Sequence, residues 1–239
     1  MGEEGVSVAA VSKAVLGPRL TVLARCTLRG LPIPRWGNLR RVEPFSANFG
    51  FERGTPVDRF YLHRFFDANR SLITGRVLEV QMPSYTRAYG SAVEVSHSVD
   101  INPEFRATYT CDLADAREIP SDSYDCFLAP QTLQHVADLS GVLRTMQRVV
   151  KPGGYVLASA AGLMPLIPDG DEYWRLSPAG WRRVLAREWA GGDVIIEGHG
   201  NCLSAIAAMH GLALEELTEE ELTAHDPRYP VLVTIKCRK

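Results

Sequence analysis

No two cysteines of this chain stand in a C-x-x-C pair; Cys26, Cys111, Cys126, Cys202 and Cys237 are scattered singly. Zinc and redox-motif readings therefore have little support, and a reduced, cytoplasmic protein is the expectation. The start, Met1-Gly2-Glu3-Glu4, lacks the basic residues and the unbroken apolar run of a secretory signal. The myristoylation pattern fails as well, because Val6 stands where Ser or Thr is required. No apolar run is long enough to span a bilayer, so no membrane partner is expected. Neither sign of charge dominates: the net value is −2 over 239 residues. That removes a global pull toward nucleic acid, and none is expected as a partner. Internal repeats and low-complexity tracts are also missing. Apolar residues are not scarce: at 46% they suffice for one large domain, or one domain with an appendage.

The first 48 residues read as a helical, basic appendage, and 49–239 as the main domain. Val8, Val11 and Val15 space like one helix face, Gly17-Pro18 breaks it, and Leu20, Leu23 and Leu28 continue it. Arg19, Arg25, Arg29, Arg35, Arg40 and Arg41 form either a solvated face or a contact for an anionic substrate or a second copy. Leu31-Pro32-Ile33-Pro34 cannot be regular helix. Thr55 is expected to cap a helix running to about Asn69, with Pro56 in its first position and Asp58 favouring its start.

From Gly75 onward, strands and helices alternate, which argues for a parallel sheet covered on both faces. Strands are expected at 76–80, 93–100, 106–111, 126–129, 155–160, 194–197 and 231–237, the last pair hairpin-like. Helices are expected at 138–150, from Ser177-Pro178 to about Trp189, at 201–212 and at 214–222. Lys151-Pro152-Gly153-Gly154 ends the first of these. Leu163 to Leu176, rich in Pro, Asp and aromatics, reads as a loop over the carboxyl end of the sheet.

The decisive stretch is Arg76-Val77-Leu78-Glu79-Val80 and the loop after it. An acidic residue near the tip of such a strand, before a loop and helix, marks where an α/β sheet takes a nucleotide-like ligand. Such loops are usually glycine-rich so that the ligand can approach the backbone. Here Gln81, Pro83 and Tyr85 occupy the loop, and its glycine comes only at Gly90.

Three segments carry a family resemblance: Arg148-Val149-Val150-Lys151-Pro152-Gly153-Gly154-Tyr155-Val156-Leu157, Asp112-Leu113 followed by Ile119 to Asp125, and Leu133-Gln134-His135-Val136. In this order and spacing they resemble class I S-adenosylmethionine (SAM) methyltransferases. The stretches Phe51 to Arg59 and Asp171 to Ser177, with Tyr85-Thr86-Arg87, resemble a bacterial branch linked to sugar and secondary-metabolite tailoring. The resemblance implies an α/β Rossmann-like sheet of seven strands with the last antiparallel. It implies SAM as cofactor and a small-molecule acceptor; a homodimer or a biosynthetic partner enzyme is a separate expectation for the macromolecular contact. It gives Glu79 the amino-acid end of SAM, Asp100 the ribose hydroxyls, and Asp112 and Leu113 the borders of the adenine. Gln81, Tyr85 and Thr86 lie along the cofactor loop, and Gln131 and His135 face the transferring methyl group.

For a hydroxyl acceptor a general base helps, and His135 is the candidate, with a capping or core-edge role as its alternative. Tyr173, Trp174 and Arg175 suit an acceptor pocket, aromatic faces for a ring and Arg for an anion, or else a packed loop anchor. His199 is a further acceptor-side candidate. Asp169, Asp171, Glu172 and His199 show no local ligand spacing, so no metal is expected. The expected function is O-methylation of a sugar or polyketide-like metabolite. The alternative, motivated by Gln81 and Pro83, is a methyltransferase-fold protein that no longer transfers methyl: a SAM-independent cyclase or isomerase, or a non-catalytic partner of a tailoring enzyme.

Overall fold

The computed structural model describes residues 17, 20–167, 170–189 and 191–239. Val8, Val11, Val15, Arg19 and Asp169, named above, lie outside them. The chain divides into two compact units, Met1–Glu43 and Pro44–Lys239. In the first, residues 20–28 are helical and Gly37–Leu39 form a 3₁₀ turn, with Leu28, Leu31 and Trp36 exposed.

The second unit is built on seven strands: β1 (Gly75–Val80), β2 (Val93–Asp100), β3 (Tyr109–Thr110), β4 (Tyr124–Ala129), β5 (Val150–Ala161), β6 (Val194–His199) and β7 (Leu232–Arg238). Their order is β3-β2-β1-β4-β5-β7-β6. β1 through β5 are parallel, while β7 runs antiparallel to both neighbours. Side chains alternate across the pleat, so each strand feeds two cores. Leu78, Phe127, Val156 and Ile235 join α3 (Leu139–Val149) and α4 (Pro178–Glu188) on one face, around Val142, Met146 and Trp181. Val77, Leu128, Leu157 and Leu232 join α1 (Val57–Ala68) and α5 (Cys202–Met209) on the other, around Leu62 and Phe66. Two short helices complete the unit, α2 (Ser84–Tyr89) after β1 and α6 (Glu219–Thr223) before β7.

Local chemistry explains most boundaries. Asp138, Ser177 and Asn201 accept backbone N–H bonds at the starts of α3, α4 and α5. Thr55 does not cap α1. The N-cap is Pro56, and Thr55 donates its hydroxyl to Glu215 instead (2.7 Å). The third strand is confined to Tyr109–Thr110, because pairing exists only against Val99 and Asp100. Lys151 to Gly154 is not a terminator but part of β5, since α3 already ends at Val149. The expected helix at 214–222 is broken into a 3₁₀ turn, Leu214–Glu216, and α6, because Thr218 starts a fresh cap.

Candidate active site

The strand order reverses direction between β1 and β4, so crossovers leave on opposite faces and a crevice opens at the carboxyl ends. A cavity of about 1060 Å³ occupies that position, wholly within the second unit. Toward β2 and β3 it is lined by Val99, Asp100, Ile101, Cys111, Asp112 and Leu113. The polar floor is Asp58, Gln131 and Gln134, and further walls come from Phe49, Phe51, Arg59 and Tyr173.

Glu79 is fully buried at the tip of β1. Its Oε1 accepts from the Tyr85 amide (2.9 Å), and its Oε2 from the amide (2.8 Å) and hydroxyl (2.6 Å) of Thr86. A further backbone bond comes from Ser84. The carboxylate therefore caps α2 with both oxygens, and Glu79 lines the cavity beside that cap. Burial pushes its carboxyl above the usual range, against the pull of these donors. Thr86 is buried and does not line the cavity, because its donors are spent on Glu79.

Gln81 takes φ +70°, the left-handed conformation in which a glycine carries no penalty. Its amide bonds the Val99 carbonyl (2.8 Å), which fixes the turn whatever side chain it bears. Gln81, Met82 and Tyr85 line the cavity without filling it. Tyr85 packs on Phe66 with ring centres 4.7 Å apart, and burial raises its phenol. Asp100 uses one oxygen to cap the following turn at Asn102 (2.7 Å), leaving Oδ2 for a ligand hydroxyl. Asp112 similarly spends Oδ1 on the Ala114 amide (2.8 Å), while Leu113 is buried beside it as an apolar wall.

Gln131 also has positive φ, +49°. Its amide donates to Ser159 Oγ (2.8 Å) and its side chain to Asp58 (2.7 Å). His135 closes the 3₁₀ turn Leu133–His135 and lines the cavity. Its Nδ1 lies 3.0 Å from the Asp171 carbonyl. A carbonyl only accepts, so Nδ1 carries the proton and the neutral ring keeps its lone pair on Nε2. That is the tautomer a general base needs.

The acceptor-side candidates separate. Tyr173 lines the cavity, half-exposed, with its hydroxyl on Asp171 (2.9 Å). Trp174 does not line it; its indole donates to the Val136 carbonyl (2.7 Å) and its ring packs on the core, making it a loop anchor. Arg175 reaches the cavity but is saturated by Glu172 and the carbonyls of Gly162, Met164 and Pro165, so it holds the 162–167 loop. His199 lies elsewhere, bonded to Thr234 (2.7 Å) and stacked on Tyr61, with burial lowering its basicity. Among the described residues no His, Cys, Asp and Glu cluster could hold a metal.

Sequence reasoning missed Asp58 and Arg59 as cavity residues. Asp58 was explained by the helix start alone. Its spacing of three and four from Tyr61 and Leu62, both buried, was the sign that it faces inward.

A model of the family described as "Methyltransferase domain" matches residues 81–158, from the loop after β1 into β5. A crystal structure of an S-adenosylmethionine-dependent methyltransferase from Mesorhizobium loti superposes with a TM-score of 0.52 at 16% identity, covering 77% of this chain and 100% of that one. The fold is that of the class I methyltransferases. The structure of the [4+2]-cyclase SpnF has the same TM-score, 0.52, at 16% identity, covering 100% of this chain and 99% of that one. No curated protein matches the chain. A methyltransferase fold therefore carries this cavity, and known proteins of that fold include one described as a cyclase.

Proposed function

We propose that the protein is a SAM-dependent methyltransferase acting on a small molecule, at an oxygen of a sugar or polyketide-like metabolite. The observation that carries this reading is the open cavity at the strand tips, with Asp100 Oδ2 uncommitted on one side and His135 Nε2 on the other. The residues fit the cofactor. Asp100 suits the ribose hydroxyls, and Ile101, Cys111 and Leu113 give an apolar slot for the adenine. When bound, SAM supplies an electrophilic methyl on a sulfonium. The chain's own work is to align the acceptor, exclude water, and take the hydroxyl proton at His135 Nε2. The hydrogen bond from Nδ1 to the Asp171 carbonyl fixes the ring so that Nε2 is the nitrogen turned to accept that proton.

A second reading is favoured by Gln81, which puts a side chain on a left-handed loop position lining the cavity. Under it the protein no longer transfers methyl and works as a SAM-independent cyclase or isomerase, or as a non-catalytic partner of a tailoring enzyme. Calorimetry with S-adenosylhomocysteine (SAH) tests the cofactor: micromolar binding is expected, and no heat at millimolar ligand ends the proposal. Label transfer from methyl-labelled SAM to a panel of hydroxylated sugars and polyketides separates the two readings. SAH binding without transfer to any acceptor supports the second.

A further inference from the structure

The cavity's charged lining contains one unresolved pair. Asp58 is buried, with its carboxylate 3% exposed, and its close partner is the Gln131 side-chain amide at 2.7 Å. Arg59 follows it in the chain, with its side chain 28% exposed. Among the described residues the Arg59 guanidinium makes only long contacts, 3.5 Å to the Tyr85 hydroxyl and 3.8 Å to Asp58. The other arginine lining the cavity, Arg175, is consumed by Glu172 and three loop carbonyls. A guanidinium with five donors, held against a cavity wall without tight acceptors, is matched to a planar anion. A buried carboxylate beside it is matched to a cation.

The geometry points to Asp58 and Arg59 as the receptor for the amino-acid end of the cofactor, Asp58 taking the α-ammonium and Arg59 the α-carboxylate. This assignment rests on the SAM reading above. An α-amino acid presents opposite charges on adjacent atoms, and consecutive residues on the first turn of α1 present the complementary charges on one lip of the cavity. The acid at the strand tip is not free for this task. Both oxygens of Glu79 are taken by the start of α2. Tyr85 at the start of α2, 3.5 Å from Arg59, lines the same cavity as Asp100. The bond from Gln131 to Asp58 ties this receptor to the loop bearing His135, so filling it would set the position of the reacting end.

The test compares two probes by calorimetry on the full chain: SAH, and 5′-methylthioadenosine, which has the adenosine and sulfur but no amino-acid tail. Wild type is expected to bind SAH about 10- to 100-fold more tightly. Arg59→Gln should weaken SAH by about 10- to 100-fold and leave methylthioadenosine within about twofold. Asp58→Asn should weaken SAH alone in the same sense, and Arg59→Lys should recover part of the loss. Arg59 is partly exposed, so its variants keep the test alive if Asp58→Asn fails to fold. Equal wild-type affinity for the two probes would overturn the receptor while leaving the cofactor reading intact. Binding of neither probe would overturn both. Loss of both probes together in Arg59→Gln, or unchanged SAH affinity with a raised acceptor KM, would also overturn it, the latter giving Arg59 to the acceptor.

Discussion

Glu79→Gln changes one atom of the side chain and should be among the most destabilising conservative substitutions in the domain. In the wild type, Oε1 meets one amide and Oε2 meets an amide and a hydroxyl, all within 2.9 Å and shielded from water. A glutamine has one acceptor oxygen. Its NH₂ must then face either the Tyr85 N–H or the Thr86 pair, donor against donor. Hydrogen bonds to a charged group contribute about 1.5–3 kcal/mol each, and a stranded buried donor costs about 1–3 kcal/mol. The expected loss is ~3–5 kcal/mol, since the Thr86 hydroxyl can rotate and recover part of it. For a domain of this size that lowers Tm by roughly 6–20 °C. Chemical denaturation with calorimetric Tm measures it, and circular dichroism confirms the native state below the transition. A loss under about 1 kcal/mol, with SAH affinity sharply reduced, would refute the reasoning. Glu79 would then be serving the ligand, not the helix.

Gln81→Gly should leave stability within about 1 kcal/mol, because relief of the left-handed strain offsets the added freedom of the unfolded chain. It should also tighten SAH, and weaker SAH binding by calorimetry would show that the glutamine contributes contacts. His135→Asn retains a donor for the Asp171 carbonyl while removing Nε2. Methyl transfer should fall about 10²- to 10⁴-fold, with SAH affinity within twofold; a smaller loss in single-turnover assays removes the base role. His199 is held neutral by burial, so the folded state binds its proton less readily than the unfolded chain, whose histidine titrates near 6.5. Stability is therefore unaffected above that pH and falls as pH drops through 6.5 toward the depressed folded value, by at most about 1.4 kcal/mol per pH unit. His199→Gln should flatten that part of the acid limb in urea titrations at pH 7.5 and 5; parallel curves would contradict it. His63 and His97, lowered in the same direction by burial, keep some slope in the variant.

The architecture was legible because its signals are local. Buried apolar runs such as Tyr155 to Ala160 have one role in a parallel sheet, and Asp138, Ser177 and Asn201 announce helix starts by side-chain chemistry alone. The cavity lining near β2 and β3 was legible for the same reason, since Asp100, Asp112 and Leu113 sit at or just past strand ends. What failed, as at Thr55, or stayed open, as at Trp174 and Arg175, depends on partners distant in the chain. Thr55 was spoken for by Glu215, and Trp174 by Val136. Arg175 carries the right group for an anion, but nothing in its neighbourhood foretells three carbonyls folding back onto it. Glu79 stayed ambiguous because an acid at a strand tip can serve a ligand, a helix or both, and the Tyr85 and Thr86 amides it accepts from are placed only by the fold.

The insertion of β7 between β5 and β6 bears on how the chain matures on a ribosome. Among the described residues β6 pairs with β7 alone, and β7 begins only at Leu232. Until Leu232–Arg238 clears the exit tunnel, β6 lacks its partner strand, and the edge of β5 that β7 covers is exposed to any neighbouring nascent chain. A translational pause just before the codons for Leu232–Arg238 would therefore hold an unfinished sheet in its most adhesive state.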